Sequence, residues 1–179
     1  MKKITQNRLI VALLAVLLIA CKKDKSGTLE IKIKSDALTH LQADISISEI
    51  WLNYTTKKSK SEWLKLELNP AIYDLAKLYN NDKDTIIFPA QTIEDLETFL
   101  QLRMHFGSDS TRVITMASDT VKMTADQTAI NGLKLGINKN STEGKTHQLT
   151  ILISPDSTAL HDIQPVFKPA ISLKSFIDK

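Results

Sequence analysis

Cysteine is almost absent from this chain. The single one, Cys21, has no partner within the sequence, so no disulfide staples the fold and apolar burial must hold it. A domain of roughly 150 residues is long enough for that, because it buries close to 70% of its unfolded surface. Glycine and proline are sparse too, at five each. No stretch rich in either marks a linker and no internal repeat appears, so residues 27–179 read as one domain. Histidine is scarce and scattered: His40, His105, His147 and His161 show no HxH or HxxxH spacing for zinc. Asn80, Asp82 and Asp84 set oxygens at alternate positions. The glycine and glutamate that a calcium hand requires are replaced by Thr85 and Gln91, so the stretch reads as a solvated loop. No metal and no cofactor are expected.

An excess of one charge is also missing from the mature part. The whole chain has 23 basic and 20 acidic residues, but Lys2, Lys3 and Arg8 belong to the first twenty positions, which leaves the remainder balanced. A neutral domain has no electrostatic footprint for nucleic acid. Those three cations precede an unbroken apolar run from Leu9 to Ala20, the pattern of a secretory signal peptide, residues 1–20. As a helix the run would span about 18 Å, too short for a bilayer core that needs ~20 apolar residues. It ends Leu18-Ile19-Ala20-Cys21, which resembles the lipobox of bacterial lipoproteins. That resemblance implies a diacylglyceryl group on the Cys21 sulfur, cleavage before Cys21, and acylation of the new amine. Such chains at ~0.8 kcal/mol per buried CH₂ hold a protein on a membrane. Residues 21–26 would then be a lipidated tether. Lys22 stands where an Asp would retain a lipoprotein in the inner membrane, so an outer-membrane address is expected, with either leaflet open.

Past Gly27 the apolar residues alternate with polar ones, the period of half-buried strands. Leu29, Ile31 and Ile33 share one face. From Asp44 to Thr55 the apolar set begins on Ile45 and Ile47 and continues on Ile50, Leu52 and Tyr54. A change of parity within one strand predicts a bulge near Ser48-Glu49. A polar turn at residues 57–60 and the return of Leu64, Leu66 and Leu68 complete a hairpin. Ile72 to Tyr79 reads as a short strand or a helical turn, and Thr92 with Asp95 resembles a capping pair for one further turn. Leu100, Leu102, Met104 and Phe106 are expected to face inward, with Gln101, Arg103 and His105 outward. Shorter strands are expected at Arg112–Met116, Thr120–Met123, Ala129–Ile137, Thr146–Ile153 and Val166–Phe176. Many short strands with frequent turns predict an all-β, antiparallel sandwich with at most one or two short helical turns.

The order of short motifs resembles a family of bacterial lipoprotein domains designated only as a domain of unknown function, number four-three-eight-two of its series. The resemblance rests on Gly27-Thr28-Leu29, Trp63-Leu64-Lys65-Leu66, Tyr73-Asp74-Leu75, Pro89-Ala90, Leu102-Arg103, Gly132-Leu133-Lys134-Leu135, Gly144-Lys145-Thr146 and Lys168-Pro169-Ala170-Ile171. It covers nearly the whole mature chain and implies a transthyretin-like or carbohydrate-binding-like β-sandwich, lipid-anchored and without known catalysis. The chain departs from the pattern at Ser154-Pro155, where the family often has an Asp.

Chemistry-bearing constellations are few. No GxSxG elbow occurs, and lipidation would consume the one thiol. Paired carboxylates assembled by the fold remain the one route to a hydrolase. The expectation is therefore a protein that is not an enzyme. If Ile50, Leu52, Leu64 and Leu66 face the core, Trp51 and Trp63 point to the opposite surface of neighbouring strands. A turn centred near Lys57 makes them cross-strand partners. Exposed aromatics of this kind stack pyranose rings in sugar-binding modules, with Asn53 or Lys65 supplying polar contacts. The alternative is packing under loops or lysine stems. The functional expectation is a lipid-anchored binding module for a glycan or an envelope protein. A structural part of an envelope assembly, joined through a sheet edge, is the alternative.

Overall fold

A computed structural model describes residues 26–36, 42–58, 60–68, 72–80, 85–108, 111–114, 117–154 and 165–179. Cys21, the leader, His40, His161 and Asp82 with Asp84 lie outside the described residues. In chain order the strands are β1 (Gly27–Ser35), β2 (Gln42–Thr56), β3 (Ser61–Leu66), β4 (Ile72–Asp74), β5 (Thr85–Ile93) and β6 (Leu96–Phe106). Then follow β7 (Thr111–Ile114), β8 (Thr120–Ala125), β9 (Leu133–Asn140), β10 (Thr146–Ser154), β11 (Val166–Phe167) and β12 (Ala170–Asp178). Two short helices interrupt them, α1 (Leu75–Asn80) and α2 (Gln127–Ile130).

These strands form two sheets of an all-β sandwich. One has the order β12-β10-β1-β5; the other runs β11-β8-β7-β2-β6-β9 and adds β3 and β4 against β2. The long β2 organises the second sheet. β6 and β7 succeed one another along one side of it, β3 and β4 along the other. Most pairings are antiparallel, but β1 with β10 and β11 with β8 are parallel. Sequence alternation gives each strand's faces, not the direction of a partner far along the chain.

The core lies between the sheets. Leu29, Ile31, Ile33 and Ile151 from the first sheet meet Ile45, Ile47, Ile50, Leu52, Phe99 and Leu102 from the second, all fully buried. Each such side chain contributes about 1.5–3 kcal/mol on burial, which is how the described fold holds without a disulfide. The bulge falls where the parity change places it: the β2–β6 register skips from Ile47 to Glu49, leaving Ser48 as the extra residue.

Four local expectations fail, each for a physical reason. Residues 92–95 are not a helical turn. β5 continues to Ile93, and Glu94-Asp95 turn the chain into β6 with Asp95 at φ 52°. A capping pair needs a helical apolar period behind it, and Leu96–Phe106 has period two. Leu100 is not a core residue, because a second register shift lies between Phe99 and Gln101 and puts Phe99 inside. Ala129 opens no strand; it is the buried residue of α2, which Asp126 caps by accepting from the Thr128 amide at 2.8 Å. Val166–Phe176 is likewise two strands, split at Lys168-Pro169, since proline cannot donate to a ladder.

Candidate functional site

The candidate residues lie on the outer face of the second sheet, where the registers set them in rows. Lys65, Trp51, Arg103 and Lys134 are successive partners across β3, β2, β6 and β9. The neighbouring row is Trp63, Asn53, Gln101 and Gly136. Trp51 and Trp63 are therefore diagonal neighbours, not the facing pair a turn centred on Lys57 implies. The register centres on Lys58, with the Thr56 amide donating to the Lys60 carbonyl at 3.0 Å. Moving a turn centre by one residue moves every facing partner by two.

Trp63 is 44% exposed and carries the Arg103 guanidinium over one ring face, 5.0 Å from the centroid. Trp51 is half-buried, with the Lys65 ammonium 5.8 Å from its ring centroid. Its indole N–H donates to Glu49 Oε2 at 2.8 Å, while Lys65 Nζ donates to Glu49 Oε1 at 2.5 Å. The Lys65 bond, then the Trp51 bond, hold the Glu49 carboxyl below the usual carboxylate range. Asn53 is only 8% exposed, and its amide oxygen accepts from Ser61 Oγ at 3.0 Å. Asn53 is thus the least exposed of the four candidates and is engaged with Ser61.

Arg103 is the residue that sequence reasoning placed outward but did not connect to the tryptophans. Its stem is clamped by the α2–β9 turn. Gly132 sits there at φ +100°, and a Cβ on it would lie 2.7 Å from Arg103 Cγ and from His105 Nε2. The clamp buries Arg103 Nε with no hydrogen-bond partner, a condition that costs about 1–3 kcal/mol or more for a charged donor. The visible signal was only the outward parity of β6. Its meeting with Trp63 depends on long-range register.

Two other clusters carry chemistry-bearing groups. His147 is fully buried between Phe176, stacked at 5.5 Å, and Phe99, edge-on at 5.1 Å. Its Nδ1 lies 2.7 Å from Asp178 Oδ1; its Nε2 lies 3.1 Å from Ser141 Oγ and accepts the Thr142 amide at 3.3 Å. The accepted amide occupies the Nε2 lone pair in this geometry. Ser, His and Asp follow the order of a nucleophilic triad, yet the surroundings speak against that use. The Ser141 amide donates to the Glu97 carbonyl at 2.7 Å and the Thr142 amide to the ring, so neither serves an oxyanion. The Thr142 amide also occupies the lone pair that would take the serine proton. The cluster is a latch tying the C-terminal strand to the turn before β10.

Asp44 and Asp74 face each other across β2 and β4 in a cleft of about 410 Å³ that Gln42, Lys77, Thr85 and Arg112 also line. Asp44 accepts from Gln42 at 2.9 and 3.0 Å and pairs with Arg112 at 2.5 Å. Asp74 accepts the Ala43 and Ala76 amides at 3.3 and 3.0 Å and faces Lys77 at 3.6 Å. Every carboxylate oxygen thus meets a donor of the fold, which makes the pair a joint between strands and α1. At Ser154, where the resemblance expects an acid, the hydroxyl donates to Asp36 beside it. Among the described residues no group of three metal-ligating side chains forms, and no helix is long and apolar enough to cross a membrane. No family model, curated protein or solved structure matches this chain.

Proposed function

We propose that the chain is a non-catalytic, lipid-anchored module of the outer envelope that binds a glycan on the outer face of its second sheet. The observation that carries this reading is Trp63, an exposed indole on a sheet surface with the Arg103 guanidinium over its ring. Aromatic faces of that kind bury the apolar faces of sugar rings, and preorganised side chains lose little freedom on binding. The lipobox-like run before Cys21 supports the anchor. Gly27 faces Ile93 and Thr56 faces Leu96, so the described chain begins at the end of the sandwich nearest the Trp63 row. Ligand would be met close to the anchoring membrane.

The test is a glycan panel probed with the full chain and with Trp63→Ala and Trp51→Ala/Trp63→Ala. The double variant should lose the wild-type ligand. Binding that survives both changes would refute the assignment. Protease treatment of intact cells decides the leaflet: digestion means surface display, survival until the outer membrane is opened means a periplasmic face.

A structural role through a sheet edge has one observation in its favour. β5, at the edge of the first sheet, has no charged residue along its nine positions. Pro89 and two register shifts interrupt that edge, as natural sheets do to block pairing, so the glycan reading leads. Co-purification of a partner through β5 after mild detergent extraction would reverse the order.

A further inference from the structure

The geometry points to an acidic glycan as the ligand of this face: a chain of uronic acid units whose carboxylates meet Arg103 and Lys134 beside the open position at Gly136, while a ring lies on Trp63. This inference rests on the binding function proposed above and narrows it to one chemical class.

Three observations carry it. First, Arg103 and Lys134 are direct partners across β6 and β9. Like charges in that position destabilise a sheet, and no carboxylate among the described residues pairs with either. Lys65, by contrast, is neutralised by Glu49 at 2.5 Å. Among the described residues, Arg103 and Lys134 are thus the cations of this row that no carboxylate neutralises. Second, the position beside this pair is open. Gly136 has no side chain in the row of Trp63 and Gln101, and a Cβ there would meet only Asn138 Nδ2, at 3.7 Å. Third, the guanidinium is already ordered by the Gly132 clamp and the Trp63 ring. With Nε turned inward, its two terminal nitrogens form the planar fork that matches a carboxylate.

The experiment compares a galacturonate oligosaccharide with its methyl ester by calorimetry, using the full chain. The acid should bind, with affinity falling as salt rises, and the ester should bind at least about tenfold more weakly, the scale of a lost charged hydrogen bond. Arg103→Gln should erase the preference for acid over ester. Gly136→Phe should abolish binding while leaving the fold intact, because Gly136 is outside the left-handed region and its Cβ direction is open. Equal binding of acid and ester would overturn the acidic class while leaving a glycan reading in place. Binding of neither would overturn the acidic-glycan inference, while a glycan panel without any ligand would remove the glycan reading itself. Unchanged binding by Gly136→Phe would overturn the placement of the ligand. Arg103-dependent binding to phosphatidylglycerol vesicles without sugar binding would assign the face to a membrane instead.

Discussion

Two polar–aromatic clusters of this molecule are built from similar parts and behave in opposite ways. Around His147 an imidazole, a carboxylate, two hydroxyl residues and two phenylalanines close on one another, and every polar atom of the ring has a partner. Around Arg103 two indoles, a guanidinium and lysines lie on an open sheet face, one buried nitrogen has no partner, and two cations face each other. The first arrangement maximises stability at its corner. The second gives some up. A buried group without a partner calls for an explanation, and the contrast favours the outer face over the triad-like corner as the place to test for binding.

The contrast can be broken most forcefully at the closed cluster. His147→Leu should lower unfolding free energy by about 2–4 kcal/mol, since it removes one partner of Asp178, leaves the Thr142 amide without its acceptor and disturbs the ring stack. Urea denaturation measures that, and glycan affinity of the remaining folded protein should be unchanged. Gly132→Ala should cost about 1–3 kcal/mol by thermal unfolding, because an L side chain is strained at that φ and would collide with Arg103. Here affinity should fall as well, since the clamp that aims Arg103 is displaced.

Acid should separate the clusters less sharply. Hydrogen bonding from Thr142, then from His147, outweighs burial and keeps the Asp178 carboxyl below its ordinary value. A depressed carboxyl stabilises the fold above its unfolded pKa of about 3.9 and loses that contribution as pH falls through the lower folded value. A urea midpoint that is flat near neutrality and declines below about pH 4 is expected. Arg103→Met should have the smallest effect on stability and the most telling sign. Keeping the stem while removing an unpartnered donor and a like-charge contact should leave the protein unchanged or up to about 1 kcal/mol more stable, with binding lost.

Much of the sandwich was legible because burial imposes a period of two. The inward set of β1, the β2–β3 hairpin and the bulge at Ser48 all follow from which residues are apolar. Trp51, Trp63 and Lys65 were legible as one face for the same reason. Two things were hidden. A turn's exact centre depends on backbone hydrogen bonds that sequence leaves open, so the tryptophans slipped from facing to diagonal. Arg103, Lys134 and Gly136 reach the face through pairings across about 30–50 residues of chain, a separation at which no local pattern specifies register.

The central claim is that ligand binds where the tryptophans are, and the chain reports on this directly because Trp51 and Trp63 are its only two, both on the outer face. Intrinsic fluorescence of the full chain, titrated with the galacturonate oligosaccharide, should change saturably, and Trp63→Phe should remove most of that change. Saturable binding by calorimetry with no change in tryptophan emission would contradict the account and move the site elsewhere.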